Sequence, residues 1–256
     1  MLLKFAFLSF VYFASRKLIS DKFATRKKVN MLKLVLLGIY ISVVIGLQLT
    51  DTTKLMKKIC GRYELDKAIL FTFIPNFLIF GFIIVILKAL PGWKAPFANT
   101  LGYLCAWVGG CKKDFDILLS SDINNDLMEK IIQDKSMIIN EITPSNFDLF
   151  FSQMSKNNLL TVEYEKLAEF EKLQNDGIKL KENEQIYLDA FVSLYNNVVL
   201  KDLVAEGLWY LLAGSLVITM TQNAIAEMEC NKNKEEMVKE YNESSGKQSK
   251  MKSLKK

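Results

Sequence analysis

The stretch that most constrains this chain is Leu203 to Ala226, LVAEGLWYLLAGSLVITMTQNAIA, whose last twenty residues from Gly207 carry no charge. As a helix those residues rise about 30 Å, the hydrocarbon thickness of a bilayer, so the stretch reads as a membrane span. Small and hydroxyl residues punctuate it. Gly207, Gly214 and Ser215 are the expected contact points for another helix, because small side chains let two backbones approach. Trp209 and Tyr210 suit a headgroup boundary and are expected to face it or a partner.

Two further spans are expected within residues 31–87. The first, Met31 to Leu49, repeats Gly38, Ser42 and Gly46 every four residues, a small-residue stripe of the kind that close helix packing in lipid uses. The second, Ala68 to Leu87, has twenty residues without a charge and holds Pro75 and Asn76 in its first half. Proline there frees a carbonyl, and Asn76 is expected to bond a neighbouring helix. The connection Thr50 to Lys67 reads as a loop with five basic and three acidic residues.

Residues 1–30 open with an apolar run, Phe5 to Ala14, the length of a signal-peptide core and too short to span comfortably. No A-x-A-like exit follows it, and Ser15, Arg16 and Lys17 come next. A retained helix, interfacial or obliquely inserted and with a basic flank, is the preferred reading. Residues 88–111 are apolar but interrupted by Pro91, Gly92, Lys94, Pro96 and Asn99. They read as an interface-lying or re-entrant segment whose Trp93, Phe97, Tyr103 and Trp107 contact headgroups or a neighbouring protein.

Charge separates the remainder. Residues 112–202 hold ten lysines against seventeen carboxylates, leaving 23 basic and 11 acidic residues in the rest of the chain. The central block therefore reads as an acidic, water-exposed helical domain between basic, membrane-proximal ends. Asp122 to Asp134 places Ile123, Leu127, Ile131 and Ile132 on one helical face. Thr143 followed by Pro144 reads as an N-cap with proline at the first helical position. A third helix is expected from Thr161 to Asn175, with Tyr164, Leu167, Ala168 and Leu173 inward and Gly177 as its stop. A helix starting near Glu182 would then run straight into the span at Leu203. The predicted fold is all-α, a multi-span helical membrane protein with a small helical extramembrane domain.

Chemistry is sparsely announced. There is no histidine, the four cysteines form no CxxC, and neither a nucleophile pattern nor a phosphate loop is present. Neither a cofactor nor a metal site is expected. Cys105 and Cys111 could pair in an oxidising compartment, but small buried thiols are the simpler reading. Glu163, Glu165, Glu169 and Glu171 interleave with Lys166 and Lys172 as on a solvated helix face, so no catalytic residue is assigned. Residues 227–256 form a basic tail with eight lysines, expected to be disordered and to touch anionic lipid without specific nucleic-acid recognition. The positive-inside rule leans toward this tail and the Thr50 to Lys67 connection on the cytoplasmic or corresponding interior side, with residues 1–30 sharing the other side with the acidic domain.

Three runs, LPGWKAPFANTLGYL from Leu90, INEITPSNFDLFF from Ile139 and VLKDLVAEGLWYLLAGSLVITMTQNAI from Val199, cover about a fifth of the chain. Together they resemble a membrane-spanning minor structural protein of the large icosahedral nucleocytoplasmic double-stranded DNA viruses. The resemblance implies a virion component at an internal membrane that contacts lipid and other capsid or membrane structural proteins. It carries over no catalytic residues. The competing class is a channel, transporter or viroporin-like protein, which would need ionisable groups inside the bilayer and a water path.

Overall fold

In the computed structural model residues 1–22, 26–61, 64–120 and 134–228 are described, with side chains except at 20–22 and 26–30. They form helices α1 (Leu2–Lys22), α2 (Arg26–Cys60), α3 (Leu65–Ala89), α4 (91–108), α5 (Cys111–Leu118), α6 (Lys135–Glu141), α7 (Phe147–Lys156), α8 (Tyr164–Asn175) and α9 (Glu182–Ala226). The fold is all-α: among the described residues there is no strand, only an isolated bridge between Leu119 and Leu160. The expected helix over Asp122 to Asp134 and the basic tail lie outside the described residues.

Helix α9 is the axis. Its 45 residues rise about 66 Å without a break, from the acidic domain into the apolar bundle. Three helices, α2, α3 and α9, are long and apolar enough to cross a membrane, and 44% of the apolar window of α9 is buried against 22% in each of the others. That difference makes α9 the central rod, with α2 and α3 keeping large outward apolar faces. Phe77 is 80% exposed, and Val35, Ile39, Phe73, Phe82 and Val85 are exposed beside it, a belt that water would penalise and lipid accepts.

Helix α3 solves the problem that Pro75 creates. Proline has no N–H, so the carbonyl of Phe71 one turn earlier loses its partner, and a π turn follows over Asn76–Gly81. The Thr221 hydroxyl of α9 donates to Phe71 O at 3.0 Å. Asn76 Nδ2 donates to Thr72 O at 2.8 Å and also to Gln48 Oε1 of α2. The break in α3 thus becomes its polar tie to both neighbours.

Helix α1 lies lengthwise in the bundle. Met1 Sδ accepts from Gln222 Nε2 at 3.8 Å at one end, and Arg16 reaches Glu206 at the other, so α1 runs antiparallel to α9. It is antiparallel to α2 as well, since Lys4 pairs with Asp51 and Ser9 bonds Tyr40. The expectation was an interfacial or oblique helix sharing its side with the acidic domain; these contacts put Met1 at the end of the bundle far from that domain. The stretch between the charged residues Lys4 and Arg16 rises only about 18 Å, short of a full crossing. Helix α1 fills a groove, seating Phe5, Ser9 and Tyr12 against α2, α3 and α9.

One other expectation changes. The connection between the first two spans is not a loop from Thr50, because α2 continues helical to Cys60 and turns at Gly61, φ +73°. Segment 91–108 packs along α9 from Trp209 to Asn197. Its backbone sits so near α9 that a Cβ on Gly102 would meet Lys201 O at 2.6 Å.

The domain core joins α4 to α9 around Phe115, Phe147, Phe151, Phe191 and Leu194. Helix α7 begins a turn later than the Thr143–Pro144 pattern predicts, with Asn146 at its N-cap; Thr143 Oγ1 instead accepts from Asn146 N at 3.3 Å within the preceding turn. Helix α8 starts at Tyr164 and buries Leu167. At its end Gly177, φ +77°, donates to Gln174 O at 3.1 Å while Ile178 N reaches Leu173 O at 2.9 Å, closing the helix as the glycine predicts. Cys105 and Cys111 are free thiols.

The two glycine groups separate cleanly in space. A Cβ at Gly214 would run into the Phe5 ring, whereas nothing among the described residues lies within 4 Å of one at Gly38 or Gly46. Gly214→Val is expected to cost about 1–3 kcal/mol by overpacking. Gly38→Ala and Gly46→Ala are expected to be neutral or stabilising by about 0.5–1 kcal/mol through helix propensity. Thermal unfolding in detergent, followed by circular dichroism, measures all three.

Candidate functional site at the junction of domain and bundle

Asp202, Glu206 and Trp209 fall at i, i+4 and i+7 on α9, so they share one face where the helix passes from domain to bundle. That face receives a cation from each of two other elements. Arg16 Nη1 donates to Glu206 Oε1 at 2.6 Å, and Lys94 Nζ lies 2.7 Å from Asp202 Oδ2 and 3.4 Å from Glu206 Oε2. Glu206 is 6% exposed. A carboxylate that deep is tolerated only with its charge matched and its lone pairs occupied, and here two cations do both.

An aromatic clasp sits one turn further along. Trp209 Nε1 donates to Trp93 O at 2.8 Å, the two indoles lie 6.1 Å apart, and Phe97 meets Trp209 edge to face at 5.2 Å. Below it, Tyr210 is the hub of a buried ring cluster with Tyr12, Phe13, Tyr40 and Phe80, at centroid distances from 5.3 to 6.3 Å. These rings lock α1, α2 and α3 onto α9.

A second polar node lies on the domain side. Lys201, 2% exposed, donates to Ile139 O and to Asn140 O, the latter at 3.3 Å, which are terminal carbonyls of α6. A cation there complements the negative end of the helix. Burial nevertheless lowers its pKa from the ordinary 10.5 to about 8, against the upward pull of Asp202 and Glu141. Nearby, Asp114 accepts from Ser193 at 2.8 Å and from Asn197 at 3.2 Å, and Asn197 also donates to Gly109 O. Burial raises the Asp114 pKa above its usual value despite those bonds.

Between the charged face and the domain opens a cleft of about 400 Å³, reached by the ends of α1, α2 and α3, by Lys94 and by the turn at Thr143 to Ser145. Pieces of three separated runs, around Lys94, Pro144 and Asp202, therefore meet at one place.

The residues singled out in the sequence are distributed as follows. Trp93, Phe97 and Trp209 come together. Tyr103 packs on the domain core, and Trp107 is 53% exposed on α4. Tyr210, expected at an interface or partner contact, is 1% exposed inside the bundle, so it touches only its own chain. A Cβ at Gly207 would lie 3.4 Å from the Phe13 ring, and Gly214 seats Phe5. Ser215 bonds its own helix at Leu212 O, 2.8 Å. Gly38, Ser42 and Gly46 face outward, and the packing stripe of α2 is instead Leu37, Tyr40, Val44 and Gln48.

Arg16, Lys94, Lys201 and Asp202 carry the junction but were not singled out beforehand. The available signal was the i, i+4 pair of carboxylates entering an apolar run together with isolated cations at the ends of two other apolar runs. No three His, Cys, Asp or Glu residues cluster in metal-binding geometry among the described residues. No family model, curated protein or solved structure matches this chain.

Removing one partner of a buried ion pair strands the other, at a cost of about 3–5 kcal/mol. Arg16→Met and Glu206→Met are each expected to lower stability by that order, and the double variant by clearly less than the sum. A double-mutant cycle from unfolding in detergent reads the coupling. Lys201 adds a pH signature. The unfolded chain keeps that proton to about 10.5 and the folded chain only to about 8, so raising pH across this window favours folding. Wild-type stability minus that of Lys201→Met should be flat below pH 8 and rise between pH 8 and 10.5.

Proposed function

We propose that the chain is a non-enzymatic structural protein of a virion, a minor capsid or inner-membrane component that links an internal lipid membrane to the protein shell. The observation that carries the reading is the unbroken helix α9. A helix 45 residues long transmits position and orientation from the bundle to the acidic domain without a hinge, which a mechanical link requires. The junction stiffens that connection, because the ion pairs of Glu206 and the indole clasp of Trp209 fix α1 and α4 to the same rod.

The resemblance of the three runs supplies the viral context, and their meeting at the junction is what a shared structural role would produce. The acidic domain offers complementarity to a basic neighbour, and complementary charge directs orientation more than it adds affinity. Trp107, exposed on the adjoining α4, offers a large apolar side chain to such a neighbour.

A channel or transporter remains the competing class. In the apolar bundle the buried polar residues Gln48, Thr52, Thr72 and Asn76 are neutral, and Glu206 is held by two cations. Those placements favour a tie over an ion path.

Quantitative mass spectrometry of purified particles, before and after detergent stripping and scaled to the major shell protein, tests the proposal. A fixed ratio that survives until the shell opens is the expected result. Absence from particles, with presence only in cell membranes, would overturn it.

A further inference from the structure

The apolar bundle holds a polar layer that helix packing does not explain. Asn76 Nδ2 of α3 donates to Gln48 Oε1 of α2, while nearer the connection Met56 and Ala68 pack in one apolar cluster with Ile225, so the two helices run antiparallel. Between these two levels Thr52 comes opposite Thr72, because Thr52 follows Gln48 by four residues and Thr72 precedes Asn76 by four. On the far side Val44 and Phe80 close the layer within the core around Tyr210. The four polar residues are between 0% and 5% exposed.

Each of the four carries a buried atom with no hydrogen-bond partner among the described residues: Gln48 Nε2, Thr52 Oγ1, Thr72 Oγ1 and Asn76 Oδ1. Turning an amide over does not relieve this. Asn76 Nδ2 also donates to Thr72 O at 2.8 Å, so exchanging its nitrogen and oxygen would set oxygen against oxygen, and Gln48 must then keep Oε1 toward Asn76. A polar atom in a dry interior loses its hydration without return, and four of them in two adjacent turns point to a ligand.

The four atoms define its chemistry. Gln48 Nε2 only donates, Asn76 Oδ1 only accepts, and each threonine hydroxyl does either. A cation would face the Nε2 hydrogens, and an anion would face the lone pairs of Oδ1. Water, which gives two hydrogen bonds and takes two, matches the set. A cavity of about 10 Å³ lies between Gln48 and the Lys4–Asp51 pair at the end of the bundle, room for about one water and an approach from the surface.

We propose that this layer is a binding site for a structural water that accepts from Gln48 Nε2, donates to Asn76 Oδ1 and completes its bonds with the hydroxyls of Thr52 and Thr72. The water ties α2 to α3 where the π turn begins. The site rests on helix packing alone, so it stands or falls independently of any role in a virion.

The test uses the full chain in detergent micelles, labelled with nitrogen-15 in its glutamine and asparagine side chains, and measures rotating-frame magnetisation transfer from water to the Gln48 Nε2 protons. The Gln48 signal is identified by its absence in Gln48→Met, or by its through-bond link to the backbone where that variant does not fold. A cross-peak with the sign of a dipolar contact is expected. It should persist in Thr52→Val and in Thr72→Val, since a water that loses one of its four partners keeps the rest. No cross-peak, a cross-peak of the opposite sign that marks proton exchange with bulk solvent, or loss in either threonine variant, which traces the signal to that hydroxyl's own proton, would overturn the proposal. A shift of the Gln48 and Asn76 amide signals when sodium chloride replaces choline chloride would also overturn it, by showing a bound cation.

Discussion

A buried charge, or a carbonyl that a proline has stripped of its donor, costs most when it is left without a partner, and that constraint shapes the structure more than any other. Lipid offers no hydrogen bonds, so backbone entering it must be helical and charges at its edge must be matched. Helix α9 meets the first demand by remaining unbroken from Glu182 to Ala226. Glu206 meets the second through Arg16 and Lys94. Pro75 breaks the rule locally, and the carbonyls it disturbs are recovered by Thr221 and Asn76.

The partners come from far away in the chain, and therefore polar satisfaction also builds the tertiary structure. Arg16 and Glu206 are 190 residues apart, and Phe71 and Thr221 are 150 apart. Each such bond would be weak between exposed groups, but in a dry setting its absence would leave an uncompensated charge or carbonyl. Apolar packing then fills the space between these ties. The ring cluster on Tyr210 and the seat of Phe5 at Gly214 supply area and fit, while the polar bonds set which turn of α1 and α3 faces which turn of α9.

Several elements were legible because their signals are local. Gly177 ends α8 through a positive φ that glycine adopts freely. The charge-free runs at Ala68 and Gly207 have span length, and Asn76 beside Pro75 announced a polar bond to another helix, found at Gln48. Other elements took their places from contacts that carry no local signal. The Gly38, Ser42 and Gly46 stripe has the spacing for close packing, yet larger residues on the opposite face of α2 make the contacts. Segment 91–108 reads in sequence as an apolar run interrupted by prolines and aromatics, and α9, continuing beyond the bundle, gives it a surface to pack along.

By itself the sequence determined that the chain is helical, that it holds three stretches long and apolar enough to cross a bilayer, and that an acidic helical block leads without interruption into the last of them. Those properties follow from periodicity, length and charge, which are one-dimensional quantities. Only the tertiary structure decided that α1 runs lengthwise with Met1 far from the domain, that Tyr210 is a buried hub, and that Arg16, Lys94, Asp202 and Glu206 form one charged face beside a cleft. The physical reason is that pairing depends on which helix faces meet in space, and residues separated by more than a hundred positions carry no local mark of their partner.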